Sequence, residues 1–392
     1  MSNPDEMVNI RNPIVFFILT WLFVLVLYSL QYSKLLTVLS NSTLLYIGLS
    51  CSSFAASYLF VISITKKWDG KTTYFSNIGI NKVLKIVFFI WLSLTLVEIA
   101  YFRSLPLLAL LGIGAGAYTE WGIPSLHGLL NAMIIALSNY FFYLFLTTRN
   151  KKYLWFFLFC LCWPILLVTR QVFMSMSVQA VLTYIFLNKF KAKTVFTIAL
   201  VALCVVFLFG FVGDLRAGDS LMFINLAQPS DDYPAFLPSG FLWVYIYVTS
   251  PLNNVNFNID KYPGFAFNPS YVLSSFFPSF IRNMIFEKEN IFDFKLVNQY
   301  LNVSSMFPNY LGAFGYWGSI LFYFVLGTIF SLVYVKATRK NVNIKWIFII
   351  VVLLHNILFS VFVDFFSNLV FIFQMILHYF IGTKVKFKDD QV

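Results

Sequence analysis

Apolar residues fall along this chain in long unbroken blocks, and charged residues are concentrated at the joints between them. Windows of about 19 residues pick out ten blocks: 14–31, 42–64, 83–101, 124–147, 153–169, 171–188, 194–212, 314–335, 346–363 and 365–383. Their length approaches the roughly 20 residues a helix needs to cross hydrocarbon and far exceeds the roughly 10 of a barrel strand. The rhythm breaks over 213–313, which holds 8 of the 13 prolines and 8 of the 16 acidic residues. The pattern predicts an all-α integral membrane protein: one polytopic domain over 1–392 with about ten transmembrane helices, and 213–313 as one large loop containing short helices.

Composition agrees. With 60% hydrophobic and 11% charged residues in 392, the chain carries more apolar surface than a water-soluble core hides. In hydrocarbon every backbone N–H and C=O needs a partner within the protein, which blocks of this length meet as helices. The first twelve residues include Asp5 and Glu6 and lack a basic leader, so the first block reads as a retained span and not a cleaved signal. Cys51, Cys160, Cys162 and Cys204 all lie inside apolar blocks without metal-ligand spacing, which reads as small core residues.

A net charge of +11 raises the question of nucleic acid, and the placement of the charge answers it. In a ten-span topology the joints carrying Lys66/Lys67/Lys71/Lys82, Arg149/Lys151/Lys152, Lys189/Lys191/Lys193 and Lys336/Arg339/Lys340/Lys345 share one side with the tail Lys384/Lys386/Lys388. With Arg11 and Lys85 that side collects 19 of the 27 basic residues, so it is the cytoplasm, both termini lie there, and no nucleic-acid partner is implied. Lysine outnumbers arginine 16 to 3 inside, yet Arg103, Arg170, Arg216 and Arg282, four of the seven arginines, lie outside. Arginine grips phosphate oxygens with a planar fork where lysine acts as a point charge.

Titratable groups near membrane depth are costly and mark candidate sites, here Glu98, Arg103, His127, Arg170 and Asp364, all toward the outer ends of spans. The apolar stretch from Arg103 to Gly128 is broken by Pro106, Gly112, Gly114, Gly116, Gly122 and Pro124, and contains Glu120. Irregular backbone of this kind is tolerated at membrane depth where it is buried in protein or lines a wet cavity. In the long loop, Asn253, Asn254, Asn256, Asn258, Asp231 and Asp232 lie among Trp243, Tyr245, Tyr247, Tyr262 and Phe265, a mixture that suits sugars and equally suits ordinary turns. No P-loop, GxSxG, HExxH or Rossmann glycine pattern is present, and no metal or cofactor is implied.

Several segments in order resemble the Wzy family of bacterial oligosaccharide repeat-unit polymerases, which make O-antigen and related surface polysaccharides. They are Trp121-Gly-Ile-Pro-Ser-Leu-His-Gly128, Thr169-Arg170-Gln171, Gly213-Asp-Leu-Arg216, Tyr247-Val-Thr-Ser-Pro-Leu-Asn-Asn254, Leu301-Asn-Val-Ser-Ser-Met-Phe307 and Leu311-Gly-Ala-Phe-Gly-Tyr-Trp-Gly318. The family often shows Asn-Thr-Ser/Thr-Thr where this chain has Asn302-Val-Ser-Ser305.

The resemblance implies a GT-C-like helical glycosyltransferase at the periplasmic face of the bacterial inner membrane. Its substrates would be undecaprenyl-pyrophosphate-linked oligosaccharides, with membrane lipid around it and a chain-length regulator and a flippase as partners. Set against that chemistry, Arg103, Arg170, Arg216 and Arg282 are candidates to hold the departing pyrophosphate. His127 ranks first as general base, ahead of Glu98, Glu120, Asp214 and Asp364. The rival readings are an O-antigen ligase with the same donor, a polysaccharide flippase or other transporter, and a structural or sensory membrane protein.

Overall fold

The computed structural model of the chain describes residues 11–65, 80–110, 120–188, 196, 222–234, 236–237, 239–286, 294–338 and 342–383. The described helices are α1 (Pro13–Ser29), α2 (Asn41–Ile64), α3 (Ile80–Phe102), α4 (Pro106–Leu110), α5 (Leu126–Thr148), α6 (Lys151–Leu166) and α7 (Arg170–Leu187). They continue as α8 (Met222–Ala227), α9 (Ser239–Asn258), α10 (Ser270–Leu273), α11 (Ser279–Ile285), α12 (Phe307–Ala337), α13 (Ile344–Phe359) and α14 (Leu369–Thr383). Pairing between extended segments is limited, among the described residues, to isolated bridges at Ser33/Pro229 and Ser305/Val363. Nine of the ten predicted blocks fall on described helices; block 194–212 lies, apart from residue 196, outside them.

Local chemistry sets the helix starts. The side chains of Asn12, Ser40, Asn150 and Asn343 accept backbone N–H groups in the first turns of α1, α2, α6 and α13, and Pro13 occupies the first helical position of α1. The stretches Asn41–Ile64, Lys82–Ala109, Leu126–Thr148 and Phe307–Ala337 are long and apolar enough to cross a membrane, the second of them running over the break at Arg103. α1, α13 and α14 are apolar but shorter.

The distribution of side chains is inverted relative to a protein folded in water. Leu22, Phe23 and Val26 of α1, Leu59 and Ile64 of α2, and Phe89, Leu96 and Val97 of α3 are exposed, while Ser50, Ser57, Asn139, Gln179, His355, Asn356, Gln374 and His378 are buried. Exposed apolar surface on this scale marks a protein that sits among lipids. The cysteines divide: Cys160 is buried, Cys51 is half-buried, Cys162 is exposed, and Cys204 lies outside the described residues.

Two packed bodies meet at α13. Ile347 and Ile350 join a core built with α1, α2, α9 and α12, whereas Phe348 and Val352 join another with α3, α5, α6, α7 and α14. In the second body α5 is the centre, with Ala132, Ile134, Ala136, Leu137 and Tyr140 fully buried. In the first, α12 lies along α2, and a Cβ on Gly327 would overlap Ser57 Oγ, so a small residue sets the helix separation.

The predicted span 314–335 is preceded by a further helical stretch from Phe307, and Gly315 (φ +71°) kinks α12 where the two meet. A Cβ there would stand 2.6 Å from the Pro263 carbonyl oxygen. The kink frees backbone groups that residues 263–268 take up: Ala266 N–H donates to Phe314 O and Asn268 N–H to Ala313 O, while Tyr316 N–H donates to Pro263 O and Trp317 N–H to Gly264 O. The long loop is thereby fastened to the start of α12. The block predicted at 346–363 stops at Phe359, since Ser360–Asn368 folds into a separate loop back onto the same helix start, with Ser305 N–H and Met306 N–H donating to Phe362 O and Ser360 O.

Candidate functional site

Glu98 lies one turn before α3 ends at Phe102, and its side chain is 1% exposed. A bare carboxylate at that depth needs donors, and two come from the start of α5. Ile123 N–H donates to Oε1 at 2.9 Å, and His127 Nδ1 faces Oε2 at 3.2 Å. The His127 side chain is 22% exposed, and among the described residues its Nε2 has no hydrogen-bond partner.

The backbone between them is held in unusual conformations. Arg103 (φ +54°) ends α3 and Ser125 (φ +68°) precedes α5, both in the left-handed region that non-glycine residues rarely adopt. Gly122 (φ +121°) is required twice over, because a Cβ at that position would also lie 2.8 Å from His127 Cγ. The imidazole is gripped edge-on by Trp121, with ring centroids 5.3 Å apart, and Trp121 is fixed by Phe102 and by its indole N–H donating to Ser104 O at 2.9 Å. The sequence segment Trp121–Gly128 therefore builds a clamp around one histidine.

Two further elements reach this end of the bundle. Ser125 Oγ accepts the Ser279 N–H at 3.1 Å and lies 3.1 Å from Ser279 Oγ, tying α11, which carries exposed Arg282, to the start of α5. α4 packs against α6, the helix that leads into Arg170. The tight turn predicted at Thr169-Arg170-Gln171 is formed by Leu167–Thr169, with Arg170 exposed as the first residue of α7. Arg103 and Glu120 are exposed beside the clamp, and Asp214 and Arg216 lie outside the described residues.

Asp364 differs from Glu98 in being saturated. It accepts from Tyr310 OH (3.0 Å), Asn309 Nδ2 (3.1 Å), Phe366 N–H (2.9 Å), Ser367 N–H (3.4 Å) and Ser367 Oγ–H. Five donors leave little lone-pair capacity for a reacting proton, and their effect is to knot the α13–α14 loop to α12.

The asparagines of the long loop are likewise engaged. Asn253 and Asn256 bond Leu35 O, Thr37, Val38 O, Ser40 N–H and Thr43 on one side of α9. Asn254 and Asn258 bond Leu301 O, Val303 O, Val297 N–H and both backbone groups of Lys295 on the other. This amide ladder holds loops together and does not present a sugar site. Asp231 pairs with Lys34 at 3.0 Å on an exposed surface, where the bond is worth little.

No group of three metal-ligating side chains exists among the described residues. Comparison with known proteins finds no matching family model, no matching curated protein and no matching solved structure.

What the clamp can do follows from its bonding. A buried carboxylate holding Nδ1–H fixes the tautomer and leaves Nε2 as an acceptor on the exposed side, the arrangement of a carboxylate-oriented general base. Its sequence signature was partial: His127 and Glu98 stand out as charges near membrane depth, but 29 residues separate them and only the fold pairs them.

Proposed function

We propose that this protein is a membrane glycosyltransferase of the Wzy type, joining lipid-pyrophosphate-linked oligosaccharide units into a surface polysaccharide at the periplasmic face of a bacterial inner membrane. The observation that carries the reading is the Glu98–His127 pair, a buried carboxylate orienting a partly exposed imidazole where α3 ends and α5 begins. The resemblance of six ordered segments, among them Trp121–Gly128 and Thr169–Gln171, supplies the substrate class.

In this mechanism the acceptor sugar hydroxyl lies within hydrogen-bond reach of His127 Nε2. As its oxygen attacks the anomeric carbon of the donor glycan, Nε2 takes the hydroxyl proton and Glu98 stabilises the imidazolium formed. The bond from the anomeric carbon to the pyrophosphate oxygen breaks, and the electron pair leaves with the polyprenyl diphosphate. Charge grows on that leaving group in the transition state, where fixed arginines act more strongly than in the ground state. Arg103 and Arg170 fit this role by position, and Arg216, in the long loop, is a further candidate from the sequence; Arg282, the fourth candidate from the sequence, is exposed on α11 and is given a lipid-phosphate role below. Glu120 is exposed and next to the clamp, and a role in seating sugar hydroxyls suits it better than proton transfer. The saturated bonding of Asp364 supports a structural role.

The ten-span topology with cytoplasmic termini belongs to the same proposal. It is supported by nine coincident helices and by the exposed apolar faces of α1, α2 and α3. An O-antigen ligase would use the same donor and differ in acceptor. Purified protein given lipid-linked repeat units tests the reading: a ladder of products supports polymerisation, transfer only to a lipid A core acceptor replaces it with ligation, and neither product refutes both.

A further inference from the structure

α11 is built backwards for a helix on a water-exposed loop. At about 100° per residue, Phe280, Ile281, Met284 and Ile285 share one arc of the helix while Ser279, Arg282 and Asn283 share the opposite one. The polar arc is the one fastened to the protein, through Ser279 to Ser125. Most of the apolar arc is open: Phe280 is 57% exposed, Met284 82% and Ile285 62%, with Ile281 half-buried and Arg282 and Asn283 exposed as well, and Leu273, Phe276 and Phe277 extend the exposed apolar surface toward α10. Water would penalise that arrangement.

The depth of α11 is fixed independently. Ser125 immediately precedes α5, whose 23 residues span about 35 Å at the helical rise per residue, close to the full hydrocarbon thickness. The turn Ser274–Phe276 packs against α14. α11 is therefore held level with one rim of the bundle, where spanning helices leave the hydrocarbon. Residues 270–286 contain no acid, and Arg282 is their one basic residue.

We infer that α11 is an interfacial anchor: its Phe280/Met284/Ile285 face is embedded in the outer phospholipid leaflet, with Arg282 at the headgroup phosphates. The exposed apolar arc matches hydrocarbon, and an acid-free segment with a central arginine matches anionic phosphate. Because Ser279 is bonded to the residue two before His127, the leaflet sets the height of the Glu98–His127 clamp. This inference rests on the membrane reading and is independent of the reaction catalysed.

Spin-label accessibility in the full-length chain tests it. Cys51, Cys160, Cys162 and Cys204 are replaced by alanine, and Phe280→Cys, Asn283→Cys and Met284→Cys are labelled singly in vesicles of phosphatidylethanolamine and phosphatidylglycerol. Positions 280 and 284 are expected to collide with oxygen more than with a water-soluble nickel chelate, and position 283 the reverse. Nickel dominating at all three positions overturns the inference, because the face is then in water. Low access to both reagents at 280 and 284 also overturns it, because protein then covers the face. Arg282→Glu should lower the oxygen-to-nickel ratio at position 284; an unchanged ratio removes the arginine from the anchor.

Discussion

Replacing Glu98 by glutamine changes one atom and inverts the hydrogen-bond sense of the clamp. The amide oxygen can still accept the Ile123 N–H now held at 2.9 Å, so the α3–α5 contact survives. The amide nitrogen then faces His127 Nδ1 in place of Oε2, and as a donor it requires Nδ1 to be the acceptor. The ring proton moves to Nε2, the atom assigned to take the acceptor's proton, and base catalysis is lost along with the charge that stabilised the imidazolium. A positioned general base contributes about 10²- to 10⁴-fold, so Glu98→Gln should slow turnover by about that factor, or about 3 to 5 kcal/mol of barrier. Stability should change little, since the buried group becomes neutral and keeps its main-chain bond. The assay is the rate of ladder growth from lipid-linked units by purified protein, alongside thermal unfolding in the same detergent. A rate within a few-fold of wild type at unchanged stability would refute the orienting role of Glu98.

Other perturbations separate the site from its scaffold. Gly315→Ala should lower the unfolding temperature in detergent, because its positive φ with extended ψ is a conformation essentially reserved to glycine that costs an L residue about 1–3 kcal/mol, and its Cβ would press on Pro263 O; wild-type stability would show that the kink is soft. Asp364→Asn should also lower it, by about 1–3 kcal/mol for each donor left unmatched, while activity per folded molecule is retained; lost activity at normal stability would return Asp364 to the chemistry. Arg170→Lys keeps the charge and loses the fork, so activity should fall strongly at equal expression, and full activity would remove Arg170 from the pyrophosphate site.

What the sequence made legible was set by properties that a one-dimensional pattern carries. Hydrophobic blocks placed α2 and α5 within two residues of their observed ends, because an apolar run of that length reads as a helix whether it is largely exposed, as α2 is, or packed at the centre of the bundle, as α5 is. The broken stretch after Arg103 was readable from its prolines and glycines, and its described parts are the short α4 and the non-helical run before α5. Pairings through space were hidden. The Asn253–Asn258 cluster suited sugars by composition, yet its amides bond loops at 35–43 and 295–303, which no local spacing announces. Asp364 stood out as a charge near membrane depth, and only the fold reveals Tyr310, Asn309 and Ser367 around it. The opposite assignment holds for Glu98, ranked behind His127 in the sequence and found directly bonded to it.

The most direct test of the account is the surface-polysaccharide ladder from cells lacking this gene, complemented with wild type or with His127→Ala at matched membrane abundance. The account predicts a full ladder with wild type and collapse to a single repeat unit on the acceptor lipid with the variant. An unchanged ladder in the deleted cells, or a full ladder restored by His127→Ala, would contradict it.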